Sequence, residues 1–440
     1  MTLDLQHLGT AMRQIASGDE AASRARRKHI GALRVVVTHV DFPLYWPARL
    51  KALHQRLREH GAELIVLEAA SGGGAYGFAG EGNASTVPHW IRLYEQVSLD
   101  SISPRQLARR IWTALDQLDP DVVLCGAIAF TPGATAVQWC RHRRRGVIVM
   151  DDARLVDVPR RWSINAVKRR FFANTDAVFI PAESHRQTYH FFGVPQKRIF
   201  YGVNAVDNSY FNDRCALIRG QQQRVVQEQT LPLRYFLGAG RQVPKKNWLT
   251  LIRAYALYRR RQTAAPWNLV LVGDGPEREA IVGLINREGL SQLVQLILFV
   301  APDEMPILYA NAACLILPSF HGETWGLVVN EAMASGLPVL VSEQCGCAST
   351  LVEPGTNGWT FDPNDPEELC NLMVRMAALD DQTLSGLGKN SRQMIAHWSV
   401  DRFAQGASDA IHACATVSRG FANLIDRLIL SAWRGRFRPT

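Results

Sequence analysis

The sequence predicts an α/β protein built from two doubly wound domains, each a parallel sheet covered by helices on both faces. Three observations predict it. The chain has 440 residues, too many for one compact core and a fitting length for two domains of ordinary size. Short apolar runs alternate with segments whose apolar residues recur at helical spacing, the pattern of parallel strands buried on both faces. The runs also fall into two series, with a polar stretch between them.

The first series comprises residues 34–40, 62–68, 121–126, 146–151, 177–181 and 198–201. The second comprises residues 234–238, 268–273, 295–300, 314–318 and 338–342. Residues 50–60 and 249–261 are examples of the amphipathic helices between them. The stretch 212–232 carries Gln221, Gln222, Gln223, Gln227 and Gln229 with little apolar periodicity, and reads as the inter-domain region. Residues 71–83 are rich in glycine and read as a surface loop. The expected organisation is an extension over 1–31, a first domain over 32–212 and a linker over 213–232. A second domain over 233–400 and C-terminal helices with a basic tail over 401–440 complete it. Two such domains face each other across a cleft at the carboxyl ends of both sheets, where ligands bind in open α/β folds.

Composition narrows the class. Apolar residues make up 47% and charged residues 20%, the balance of a soluble globular protein. No apolar run approaches the roughly 18 residues of a membrane-spanning helix. Residues 1–28 are polar and mixed in charge, without the apolar core of a secretory signal. The expected location is therefore the cytoplasm, with peripheral contact at the inner face of the membrane as the open addition. The eight cysteines show no disulfide framework. Cys345 and Cys347 are the only close pair, and structural zinc needs about four such ligands, so no metal is expected. The formal charge of +9 favours anionic ligands without choosing among them. The chain lacks finger spacing, aromatic-basic strands and a basic zipper, so nucleic acid is not expected as a partner.

The most informative segment runs from Pro318 to Pro338. A strand ends at Pro318, a loop follows, and a helix is expected to begin near Gly326. The free N–H groups of that first turn are a natural seat for a diphosphate. Gly326 lacks a side chain that would block close approach. Glu331 falls about one turn into the helix, beside the phosphate seat, where a carboxylate can accept from both hydroxyls of a ribose. Glu323 lies in the preceding loop, on the side where a sugar would sit. A second loop, after the first strand of the second domain, holds Arg241 and Lys246, whose charges suit a leaving diphosphate. A third element, Val272-Gly273-Asp274-Gly275-Pro276, is a tight strand-to-helix turn.

These elements, in this order, resemble the retaining glycosyltransferases of the GT-B fold called family 4 or group 1. The resemblance rests on two glutamates with seven residues between them, here Glu323 and Glu331. It rests also on a Gly-Arg with a lysine five residues on, here Arg241 and Lys246, and on the Val272–Pro276 turn. It covers residues 235–398. It implies a nucleotide-sugar donor held by the second domain, with Glu331 on the ribose, Arg241 and Lys246 on the diphosphate and Glu323 on the sugar. Gly326 and Leu327 would offer N–H groups to phosphate, Val300 would lie near the base, and Gly273 would line the same pocket. The resemblance further implies no metal and no cofactor beyond the donor itself, retention of anomeric configuration, and a C-terminal helix that returns to the first domain.

The sequence departs from the family pattern in four places. Thr324-Trp325 stands where Pro-Phe is common, and residues 346–350 lack a carboxylate usual there. The loop 126–133 has no histidine, and residues 39–49 replace a Gly-Gly turn. The acceptor side is therefore read from the residues themselves. Asp41, Tyr45, Trp46 and Arg49 follow the first strand, and Asp151, Asp152 and Arg154 follow another at the same edge. Of these, Asp41, Arg49 and Asp152 are the candidates for contact with the acceptor, expected to be a glycan or a lipid-linked molecule. Two segments, 160–172 and 421–437, are both basic and aromatic; each suits either an anionic membrane or a helix packed on the protein. The competing readings are a sugar-nucleotide epimerase of the same layout and a non-catalytic sugar-nucleotide or membrane-binding module.

Overall fold

The computed structural model describes residues 33–71, 86–220, 231–261, 266–415, 417, 419 and 422–435. The expected extension 1–31, most of the loop 71–83, the glutamines at 221–229 and the tail from 436 onward lie outside the described residues.

Seven parallel strands form the first sheet: β1 (Arg34–His39), β2 (Glu63–Glu68), β3 (Trp90–Arg92), β4 (Val122–Cys125), β5 (Gly146–Met150), β6 (Ala177–Ile180) and β7 (Ile199–Tyr201). Their spatial order is β3-β2-β1-β4-β5-β6-β7. Six parallel strands form the second: β8 (Tyr235–Ala239), β9 (Asn268–Val272), β10 (Val294–Ile297), β11 (Cys314–Leu317), β12 (Val339–Ser342) and β13 (Gly358–Phe361). Their order is β10-β9-β8-β11-β12-β13. Both orders reverse direction from a central strand, which makes both sheets doubly wound, as expected.

The inner strands are buried on both faces, and their successive residues feed different cores. Val36 joins the cluster on one face of the first sheet, while Val35 and Val37 join the other. Tyr235 and Leu237 face one core of the second sheet and Phe236 the other. This is the physical origin of the continuous apolar runs. Two edge strands, β3 and β13, are absent from the sequence reading. Each is half-buried and mixes apolar with polar or glycine residues, so it shows no continuous apolar run, and pairing with β2 or β12 holds it in place.

The chain crosses between the sheets at two points. Helix Asn208–Arg219 starts with Asp207 accepting from the Tyr210 N–H. It runs through 213–219, the first part of the expected linker, and its last arginine donates to the carbonyls of Ala310 and Ser335 in the second domain. Helix Val400–Ala415 returns to the first sheet. Phe403, Ala407, Ala410, Ile411 and Cys414 form its buried stripe against helix Trp46–Glu59 and strands β5 to β7. Gly406 allows the closest approach, since a Cβ there would lie 2.2 Å from the Tyr201 carbonyl oxygen. Among the described residues no helix is long and apolar enough to cross a membrane.

Candidate functional site

The carboxyl ends of the two sheets face each other, and the loops that leave them meet. On the second sheet, Gly240 (φ +148°) turns the chain out of β8 and Gly273 (φ +134°) turns it out of β9. A Cβ on Gly273 would lie 2.1 Å from the Gly240 carbonyl oxygen. The two loops are fastened by Gln242, whose N–H donates to the Asp274 carbonyl and whose Nε2 donates to Gly273. Arg241 is half-buried there, its carbonyl fixed by the Trp248 indole at 2.9 Å. Gly240 also leaves room for Lys246, whose Nζ would stand 3.2 Å from a Cβ at that position.

The loop after β11 carries the glutamates. Gly326 (φ +103°) is the N-cap of helix Leu327–Ala334, and a Cβ there would press on Leu317 at 2.8 Å. The turn therefore requires glycine, for its backbone conformation and for its packing on Leu317. The helix start has no side-chain cap, so the first-turn N–H groups of Leu327 and Val328 lack intrahelical partners. Glu323 Oε2 lies 2.5 Å from Lys246 Nζ and accepts from Ser319 Oγ at 3.2 Å. Burial pushes the Glu323 carboxyl up, but the charge and hydrogen bond of Lys246, then Lys245 and Ser319, outweigh it and hold it below its usual range. Glu323 is thus a carboxylate. Burial instead pulls the Lys245 ammonium down.

Glu331 is buried, and each of its oxygens is engaged. Tyr45 of the first domain donates to Oε1 at 2.6 Å, and Tyr309 donates to Oε2 at 2.5 Å. Burial raises the Glu331 carboxyl, while the two tyrosine hydroxyls act the other way. Val300 lies beyond the end of β10, which stops at Ile297, and packs partly against the core under the site.

The first sheet meets this loop through side chains that lie far from it along the chain. Asp152 accepts from Thr324 Oγ1 at 2.9 Å and from Asn204 at 3.4 Å. Arg154 forms a bidentate pair with Asp157 and donates to the carbonyls of Gln344 (2.6 Å) and Glu323 (3.2 Å). Asp157 in turn accepts from the Gly322 N–H. His185, fully buried, has Nε2 2.9 Å from the Thr324 carbonyl oxygen and its ring beside Trp325. The Thr324-Trp325 departure from the family pattern therefore has a structural use. The threonine hydroxyl reaches across to the first domain, and the indole donates to Asn330 under the loop. Gly346 backs the same loop from behind, with its N–H on the Glu323 carbonyl.

The remaining sequence candidates differ in surroundings. Asp41 is half-buried in the loop after β1. Arg49 is enclosed: its Nε donates to the Ala205 carbonyl, and its guanidinium packs over the rings of Tyr45, Trp46 and Phe403. Burial lowers its pKa to about 10. Gly126, in the loop without histidine, lies against the His39 ring, which fills the space a Cβ would take. Burial lowers the His39 pKa to about 4. His39 and His185 were missed as site residues; each sits at or just past the carboxyl end of a strand, which is the signal that could have found them. The Cys345 and Cys347 thiols are buried, and burial holds both well up and protonated.

Comparison with known proteins bears on the family and the fold. Residues 221–394 match the family described as glycosyl transferases group 1. The D-inositol 3-phosphate glycosyltransferase of Thermomonospora curvata is 30% identical over 270 residues, 57% of this chain. The chain spans 60% of that relative's length. A crystal structure of a glycosyltransferase from Rickettsia africae superposes with a TM-score of 0.68 at 14% identity, over 88% of this chain and all of that one. Anabaena HepE, solved in complex with UDP and glucose, gives 0.65 at 19% identity, over 87% of this chain and all of that one. At these identities the solved structures speak for the fold, which is GT-B.

Proposed function

We propose, from the match of residues 221–394 to the glycosyl transferases group 1 family and the likeness to the D-inositol 3-phosphate glycosyltransferase, that this chain belongs to that family and transfers a sugar from a nucleotide-sugar donor to an acceptor hydroxyl with retention of anomeric configuration. The observation that carries this reading is the Lys246–Glu323 pair beside an uncapped helix start at the carboxyl edge of the second sheet. Arg241, Lys246 and the first-turn N–H groups of Leu327 and Val328 would, on this proposal, face the place where a diphosphate leaving group develops charge. In this reading Arg241 and Lys246 hold the diphosphate, which supports transfer without a metal. Lys246 shares its charge between the phosphate and Glu323, and the Glu323 carboxylate orients the sugar. Glu331 receives the ribose hydroxyls, with Tyr45 sharing or yielding its oxygen. Gly273 and Val300 border the nucleotide.

The reaction breaks the bond between the anomeric carbon and the phosphate oxygen and forms one to the acceptor oxygen on the same face. The acceptor's proton passes to the departing phosphate. Asp41 and Asp152, on the opposing sheet edge, are the acceptor's polar neighbours. Arg49 supports them from within the packed loop. The acceptor is read as a growing glycan or a lipid-linked molecule, in polysaccharide or glycolipid assembly.

The test is a thermal-shift panel of UDP-, GDP- and ADP-sugars, followed by release of nucleoside diphosphate with a matching donor. Arg241→Ala and Glu323→Ala should each lower turnover by about a hundredfold or more, the usual weight of one charge-stabilising group. If no nucleotide sugar stabilises the protein, or both variants keep full turnover, the proposal fails.

A further inference from the structure

We propose that the face formed by helices Trp162–Ala173 and Leu424–Ala432 docks on the surface of an anionic lipid bilayer. The two basic, aromatic segments lie far apart in sequence, yet the fold joins them. Arg170 Nη1 stands 3.5 Å from Asp426 Oδ1, and the rings of Phe171 and Trp433 are 6.3 Å apart. Trp433 points inward, its indole donating to the Ile128 carbonyl, so it is part of the seam.

The outward side of this pair is apolar to an unusual degree. Trp162 is 82% exposed, Leu424 72%, Leu428 62% and Ile425 61%. Leu424, Ile425 and Leu428 share one face of their helix, while Asp426 and Leu430 occupy the buried one. Val156 and Val158, in the segment that leads into helix Trp162–Ala173, are also more than half exposed. These two helices and that segment therefore hold six of the thirteen exposed large hydrophobic side chains among the described residues, although they form a small part of the chain.

Charge selects the occupant. Arg161, Arg169, Arg170 and Arg427 are exposed on the same elements. The only carboxylates on them, Asp157 and Asp426, have side chains 3% and 11% exposed, and each faces an arginine. A second copy of this face would bring arginines against arginines with no exposed acid to meet them. An anionic bilayer answers both features, since headgroups take the arginines and the interface takes the apolar side chains.

The placement also has a consequence for the acceptor, which rests on the transferase reading. The segment 154–161 begins at the cleft, where Arg154 and Asp157 bond to the loop of Glu323. Docking would bring that margin of the cleft to the bilayer, within reach of a hydroxyl on a membrane lipid.

The experiment is flotation of the full chain with vesicles of phosphatidylcholine alone, or with about a third phosphatidylglycerol. The native protein should float with the anionic vesicles, remain below with the neutral ones, and detach in high salt. Leu424→Glu combined with Leu428→Glu, and separately Arg161→Glu combined with Arg169→Glu, should each lower the bound fraction by about tenfold or more. The same variants should keep the native melting temperature and the native thermal shift with nucleotide sugar. That second readout separates failure of docking from failure of the donor reading. The proposal is overturned if the native protein ignores anionic vesicles, or if both variants bind them as the native protein does. It is equally overturned if the face instead mediates a dimer in sedimentation that the variants abolish.

Discussion

Replacing Lys246 by Met keeps the length of the side chain and removes its charge from Glu323. The two groups lie 2.5 Å apart, with side chains 10% and 13% exposed. Removing one partner of a buried ion pair costs about 3–5 kcal/mol, because the other charge is left uncompensated. Here Ser319 Oγ and the nearby Lys245 remain, which places the expected loss near the low end, about 3 kcal/mol. The pH dependence makes the test sharper. In the native protein the Glu323 carboxyl sits below its ordinary value of 4.5. Its contribution is therefore present above that pH and is lost as pH falls through the folded value. In the variant burial dominates, and the carboxyl rises above 4.5. Between that value and the raised one the folded state binds more protons than the unfolded state, so stability increases as pH falls. The gap between the two proteins should accordingly shrink on acidification. Urea unfolding followed by tryptophan fluorescence measures it, since Trp248 and Trp325 are buried in this domain. A gap under about 1 kcal/mol near neutral pH, below the range for a broken buried pair, would refute the reasoning. So would a gap that does not change with pH.

Glu331→Ala should weaken nucleotide-sugar binding about ten- to a hundredfold, since hydrogen bonds to a charged group are worth about 1.5–3 kcal/mol each. Titration calorimetry measures this, and an unchanged affinity would take the ribose away from Glu331. Gly273→Ala sets a Cβ 2.1 Å from the Gly240 carbonyl oxygen at φ +134°, so it should cost more than about 2 kcal/mol and disturb donor binding, as read by calorimetric melting. Arg154→Ala strips Asp157 of its buried partner and releases the carbonyls of Glu323 and Gln344; a lower melting point and a larger radius of gyration in small-angle scattering are expected. His39 is held neutral by burial, with its pKa lowered from 6.5 to about 4. The unfolded chain takes up that proton first, so stability should fall by up to about 3 kcal/mol as pH drops from about 6.5 to about 4. His39→Gln should flatten that part of the stability curve.

Most of the fold was legible because parallel strands announce themselves locally. Eleven of the thirteen strands correspond to apolar runs read from the sequence. The donor loops were legible for a related reason: Gly326 and Gly273 mark backbone turns that other residues strain to adopt. The edge strands β3 and β13 were not, because each mixes apolar with polar or glycine residues and is only partly buried, so it shows no continuous apolar run. Arg49 shows the limit for side chains. Its place in the sequence suggested a ligand, and only the packing of Phe403 from the returning helix reveals how enclosed it is.

The sequence by itself determined two doubly wound sheets, the glycine turns at their carboxyl edge, and the carboxylates and cations those turns carry, since all of these follow from local pattern. Tertiary structure alone decided what those groups touch. Tyr45 meets Glu331 across 286 residues of chain, and Asp152 meets Thr324 across 172. Helices Trp162–Ala173 and Leu424–Ala432 become one surface in the same way. Local propensity sets where a side chain leaves its own strand or helix, but its partner depends on how two separate cores dock, and no short stretch of sequence encodes that.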